Sequence, residues 1–188
     1  DIAPGATILP GCHIRPGCKV GAGAVIGPNT ILEKAEIGAG TTVNNSQVYE
    51  STVGANVTVG PFAYIRPQCV VGDGCRIGDF VELKKSTIGN GTKVPHLSYV
   101  GDAQLGDHTN IGGGTITANY DGVHKNSTTI GSGCHVGAGN LFVAPVEVGD
   151  NVTTGAGSVV RHAVPSDTMV YSENTQHNVE GWKPAWER

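Results

Sequence analysis

The sequence predicts an all-β chain, a parallel β-helix of hexapeptide repeats, on three observations. An apolar anchor recurs every five or six residues along most of the chain. A small residue (Ala6, Thr41, Ala63, Thr92, Ser158) usually stands four positions after an anchor. Gly makes up 29 of the 188 residues, roughly twice its average usage. A period of six matches neither a helix nor a simple two-faced hairpin. It fits short strands joined by tight turns, three to a triangular coil.

The register opens at Ile2 and steps by six through Ile8, Ile14, Val20, Ile26 and Leu32. A step of five leads to Ile37, then Val43, Val48, Val53, Val59, Ile65, Val71, Ile77 and Leu83. Ile88, Val94, Val100, Leu105, Ile111 and Thr117 follow. A longer step reaches Ile130, then Val136, Phe142, Val148, Thr154 and Val160. Of these 27 anchors only Thr117 and Thr154 are not apolar. Gly, Asn and Asp supply the left-handed angles of the turns. Three anchors per coil predict about nine coils, a prism about 40 Å tall at strand spacing.

The register breaks in three places. Between Thr117 and Ile130 the chain is too long for one unit, and residues 118–129 are expected to protrude as a loop of the kind that often carries function. After about Pro165 the pattern stops, so residues 1–165 are expected to form the prism and 166–188 an arm with Trp182 and Trp186. At the other end Ile2 is already an anchor. An uncapped first coil would expose strand edges, so a preceding segment is expected.

Composition removes several function classes. The net charge of −4 argues against general electrostatic binding of nucleic acid. No stretch of eighteen apolar residues exists to span a bilayer. Cys12, Cys18, Cys69, Cys75 and Cys134 each fall four residues after an anchor. They read as small buried hydrophobes, with no zinc spacing and no disulfide framework. No metal is expected, and the default setting is cytoplasmic.

The register also turns sequence distance into proximity. Arg66 and Lys84 each follow an anchor, three anchors apart, so they should stack about 5 Å apart. Two such cations repel unless something anionic joins them. The loop leaves the same face two coils above Lys84 and carries Lys125. Three converging cations favour an anion such as phosphate. His96, two residues past Val94, points outward beside Tyr99, with Glu82 one coil below as a candidate ring partner. Phe62, Phe80 and Leu97 replace the usual small polar turn residue in three successive coils. They either fill a widened corner or meet a partner subunit.

The run GPFAYIRP, followed by GDFVELKKSTIGNGTKVPHLSYVGDAQLGDHTNIGGGTITANYDGVHK, resembles the left-handed β-helix acyltransferases. Among them it is most similar to the acetyltransferase domain of the bifunctional glucosamine-1-phosphate acetyltransferase / N-acetylglucosamine-1-phosphate uridyltransferase family. The resemblance covers nearly the whole chain. It implies left-handed winding, homotrimers with sites between subunits, and acetyl transfer from acetyl-CoA to glucosamine 1-phosphate. It makes His96 the general base, oriented by Glu82. Arg66, Lys84, Lys125 and Tyr99 would hold the sugar phosphate and Asn110 the sugar. Asn119 and Tyr120 would border the thioester, a backbone N–H near Gly113 would stabilise the oxyanion, and Ala138 and Ala156 would contact the CoA arm. Gly113 and Ala138 stand where Ala and Ser are expected, and Glu173 where a basic residue would meet a CoA phosphate. The uridyltransferase half is absent from this chain. Rival readings are a serine or lipid-A-type acyltransferase, a zinc carbonic anhydrase and a non-catalytic prism.

Overall fold

A computed structural model describes residues 1–187 and places 27 strands among them. Most are two or three residues long, an outward residue followed by a buried anchor. Every ladder is parallel, and consecutive strands visit three faces in rotation. The first face has ten strands, Thr7–Ile8 through Met169–Val170. The second has nine, His13–Ile14 through Val159–Val160. The third has eight, Lys19–Val20 through Val146–Val148.

From Val20 to Val160 the anchors stack into one continuous interior column, with Ile26, Val43, Val59, Ile77 and Val94 on the first face fully buried, while the anchors Ile2 and Ile8 are exposed and Ile14 is half-buried. The two polar anchors are satisfied. Thr117 Oγ1 donates to Gly101 O at 3.0 Å and accepts Gly101 N–H at 2.8 Å. Thr154 Oγ1 donates to Asn140 Oδ1 at 2.6 Å. Phe142 is seated directly above Thr117, so the largest interior ring lies over a small neighbour, as close packing requires. Cys18, Cys69, Cys75 and Cys134 are buried and Cys12 partly so, all as free thiols. Burial pushes the Cys69, Cys75 and Cys134 thiols up, which removes thiolate chemistry at neutral pH.

Side chains close the turns between the third and first faces. Asp73 Oδ1 accepts Ala55 N–H, Asn90 Oδ1 accepts Asp73 N–H, and Asp107 Oδ1 accepts Asn90 N–H. Ser132, Asp150 and Ser166 continue the chain upward. Each bond pairs a backbone donor that would otherwise be left open at the corner.

The strand ladder runs past the expected end at residue 165. Val164 bridges Val148, and Met169 and Val170 pair with Thr153 and Thr154. A four-residue step from Val160 to Val164 hides this last coil from a six-residue register, and the stack reaches about ten coils. Beyond it the tail is mostly exposed, ending in a short 3-10 turn at Ala185–Glu187. Among the described residues no helix is long and apolar enough to cross a membrane.

Candidate active site

The second face gathers the cations. Its strands Tyr64–Ile65, Glu82–Lys84 and Tyr99–Gly101 pair in register, with Tyr64, Glu82 and Tyr99 in one column and Lys84 beside Gly101. Arg66 follows its strand, its N–H donating to Leu83 O at 2.9 Å, one coil below Lys84. The repulsion expected between them is relieved by two carboxylates. Arg66 Nη1 donates to Glu82 Oε1 at 2.8 Å, and Lys84 Nζ to Asp102 Oδ2 at 2.8 Å. The first pair is over a third exposed; the second is 16% and 10% exposed. The hydrogen bond to Asp102 raises the Lys84 ammonium above its ordinary range.

Asn119 is buried against this cluster rather than displayed at a surface. Its amide nitrogen donates to Asp102 Oδ2 and, at 3.3 Å, to the Tyr99 hydroxyl. Lys125 arrives from the loop, which folds back as a narrow ribbon with Tyr120 bridging Lys125. Asp121 braces the loop by accepting the N–H groups of His124 at 2.6 Å and Val123 at 2.8 Å, and these hold its carboxyl below the usual range. The Lys84 ammonium beside Lys125 holds the Lys125 amine below the usual lysine range, and Arg66 adds to the effect. Three cations thus face Glu82 and Asp102, and the surplus positive charge suits an incoming anion.

The corner between the first and second faces carries a different column. Asp79, His96, Gly113, Ala138 and Ala156 each stand two residues beyond a first-face anchor. Asp79 and His96 are register partners, and His96 Nδ1 lies 2.7 Å from Asp79 Oδ1. Glu82 does not serve His96, because it is engaged by Arg66. Asp79 takes that place, and its signal was its shared offset with His96. Above His96 the column has no side chain longer than a methyl. Its carbonyls are bonded coil to coil, Gly113 O accepting Gly139 N–H and Ala138 O accepting Gly157 N–H, both at 2.8 Å.

Several sequence-predicted residues stand apart. Asn110 lies on the outer first face between Lys93 and His135, on a different wall from the cation cluster. Tyr120 is exposed on the loop, its hydroxyl donating to Gly122 O at 2.6 Å. Glu173 is on the exposed tail. Phe62, Phe80 and Leu97 form an exposed apolar ladder at the corner, the two rings stacked 5.4 Å apart. All three have positive φ, of 62, 54 and 46°, a conformation that bulky residues rarely adopt.

The chain matches the family model described as bacterial transferase hexapeptide (six repeats) over residues 1–34, 50–85 and 127–162. It is 77% identical over 159 residues to the bifunctional protein GlmU of Bifidobacterium longum (strain NCC 2705), covering 85% of this chain and 35% of that protein. The GlmU of Synechococcus sp. (strain CC9605) is 51% identical over 153 residues, covering 81% of this chain and 34% of that one. The chain therefore spans about a third of the length of these relatives. A solved UDP-N-acetylglucosamine acyltransferase from Arabidopsis superposes with a TM-score of 0.64 at 18% identity, covering 89% of this chain and 70% of that one. LpxA from Moraxella catarrhalis RH4 gives 0.60 at 14% identity, with the same coverages of 89% and 70%. Those two likenesses speak to the fold alone and agree with left-handed winding. With the repeat matched over more than half of its length, the chain belongs to the bacterial transferase hexapeptide family.

Proposed function

We propose that the chain transfers an acetyl group from acetyl-CoA to the amine of glucosamine 1-phosphate, giving N-acetylglucosamine 1-phosphate and CoA. The observation that carries the reading is the convergence of Arg66, Lys84 and Lys125 on the second face. High identity to the GlmU proteins supports the choice of acceptor. Arg66, Lys84, Lys125 and Tyr99 hold the phosphate. His96 Nε2 takes a proton from the sugar ammonium, and the freed lone pair attacks the thioester carbon. A backbone N–H near Gly113 receives the oxyanion. Collapse expels the CoA thiolate, which takes the second proton from the nitrogen as the amide forms, and His96 releases the first proton to solvent.

The trough of Gly113, Ala138 and Ala156 accommodates the pantetheine arm through backbone contacts. Asn119 and Tyr120 border the thioester, Asn119 from within the cation cluster. Asn110 faces another wall, so it meets the sugar at a neighbouring subunit's cluster in a homotrimer. The Phe62–Phe80–Leu97 ladder is buried at that contact. The prism with its loop is the transfer domain and the tail an arm. The five free thiols fit a cytoplasmic setting, where the product serves UDP-N-acetylglucosamine and cell-wall precursor synthesis.

Thiol release from acetyl-CoA tests the reading with glucosamine 1-phosphate, glucosamine 6-phosphate and serine as acceptors. Release is expected with the first alone. Serine as the better acceptor would sink the proposal.

A further inference from the structure

Asp79 and His96 occupy one corner position in adjacent coils, with backbones tied together. Leu97 N–H donates to Asp79 O at 2.9 Å, and Ser98 Oγ donates to His96 O at 2.7 Å. The 2.7 Å contact between Asp79 Oδ1 and His96 Nδ1 thus joins side chains rooted on fixed backbone. The hydrogen bond from His96 holds the Asp79 carboxyl below the usual range, with a smaller effect from Arg76. An ionised carboxylate can only accept hydrogen bonds. His96 Nδ1 must therefore be the donor, which leaves Nε2 with the lone pair in the neutral ring. One coil up stands Gly113, which offers no side chain to compete for the ring. Its position is so close that an added methyl would lie 3.4 Å from His96 Cβ.

The pair is 52% and 37% exposed, and ion pairs at such exposure contribute little to stability. Its consequence is orientation. We propose that Asp79 is the positioning residue of the base, holding His96 as the Nδ1–H tautomer so that Nε2 is presented to the acceptor amine. This rests on the reading of His96 as the group that receives the ammonium proton. When Nε2 takes that proton the ring becomes a cation with both nitrogens donating, and the Asp79 carboxylate faces the new charge without changing its own protonation. The thiolate takes the nitrogen's second proton, the first leaves Nε2 for solvent, and the ring returns to the Nδ1–H form.

The test combines nitrogen NMR of labelled histidine with steady-state kinetics on the full chain, using Asp79→Ala, Asp79→Asn and His96→Ala. Wild type should read as Nδ1–H. Asp79→Asn keeps an oxygen that accepts the same bond, so it should retain the tautomer and most of the turnover. Asp79→Ala should move the neutral ring toward Nε2–H. Its kcat should fall roughly 10–100-fold, the usual effect of removing a histidine's orienting partner, with both Michaelis constants and the melting temperature unchanged. An unchanged tautomer in Asp79→Ala, or a shifted tautomer with undiminished kcat, would overturn the proposal. His96→Ala should lower turnover about 10²–10⁴-fold. Undiminished turnover there overturns the base reading instead, and the two failures are separable because the tautomer is read without turnover.

Discussion

Arg66 and Lys84 hold equivalent positions in adjacent coils but sit in different surroundings. The Lys84–Asp102 pair is mostly buried, whereas Arg66–Glu82 is open to water. Lys84→Ala leaves a sheltered carboxylate without its cation and should destabilise the fold by about 1–3 kcal/mol. Arg66→Ala should cost less than about 1 kcal/mol. Both should raise the Michaelis constant for the sugar phosphate roughly tenfold or more, since each removes a charge-assisted bond, and leave that for acetyl-CoA unchanged. Denaturant titration and two-substrate kinetics check this; equal rises in both constants would remove the anion site. Asp102 adds a pH dependence. Burial pushes its carboxyl up, but the bonds from Lys84 and Asn119 outweigh burial and hold it below the usual range. A depressed folded value stabilises the protein above the unfolded value of about 3.9 and is lost as pH falls through the folded one. Wild-type stability should therefore drop below about pH 4, and Asp102→Asn should flatten that part of the curve.

Two glycines in neighbouring elements predict opposite outcomes. A methyl at Gly101 would collide with the Tyr99 phenol, whereas one at Gly113 would make ordinary contact with His96 Cβ at 3.4 Å. Gly101→Ala should displace Tyr99, lower the melting temperature and raise the Michaelis constant for the sugar phosphate. Gly113→Ala should leave both unchanged; thermal melts and kinetics decide. The strands themselves were legible because each coil repeats one geometry, and anchors Ile65, Leu83 and Val100 could be stacked by counting. Corner partners were harder. Asp79 has the offset of His96, yet a corner side chain reaches its neighbour by a rotamer, which counting does not supply. Glu82 was assigned to His96 for the same reason, although Arg66 holds it. Asp102, which neutralises Lys84, went unread because proximity of two cations says nothing about the carboxylate between them.

At the scale of the whole molecule, the cation cluster lies on the second face, Asn110 on the first and His96 at the corner between them, and a single chain does not bring Asn110 to Lys84. The strained, exposed ladder of Phe62, Phe80 and Leu97 is the edge at which, in the proposed trimer, a second copy would complete the site. Light scattering should report a trimer at micromolar concentration, and a stable monomer there would contradict the composite site. The last coil escaped the sequence register because Val160 and Val164 are separated by an irregular step, a break that only strand pairing reveals. The central claim is that the cations select a phosphorylated amino sugar for acetylation. The direct measurement is kcat/KM for glucosamine 1-phosphate against unphosphorylated glucosamine at fixed acetyl-CoA. Loss of the phosphate contacts should lower it by roughly 10²-fold or more, at 1.5–3 kcal/mol for each charge-assisted bond. Equal values for the two acceptors would contradict the account.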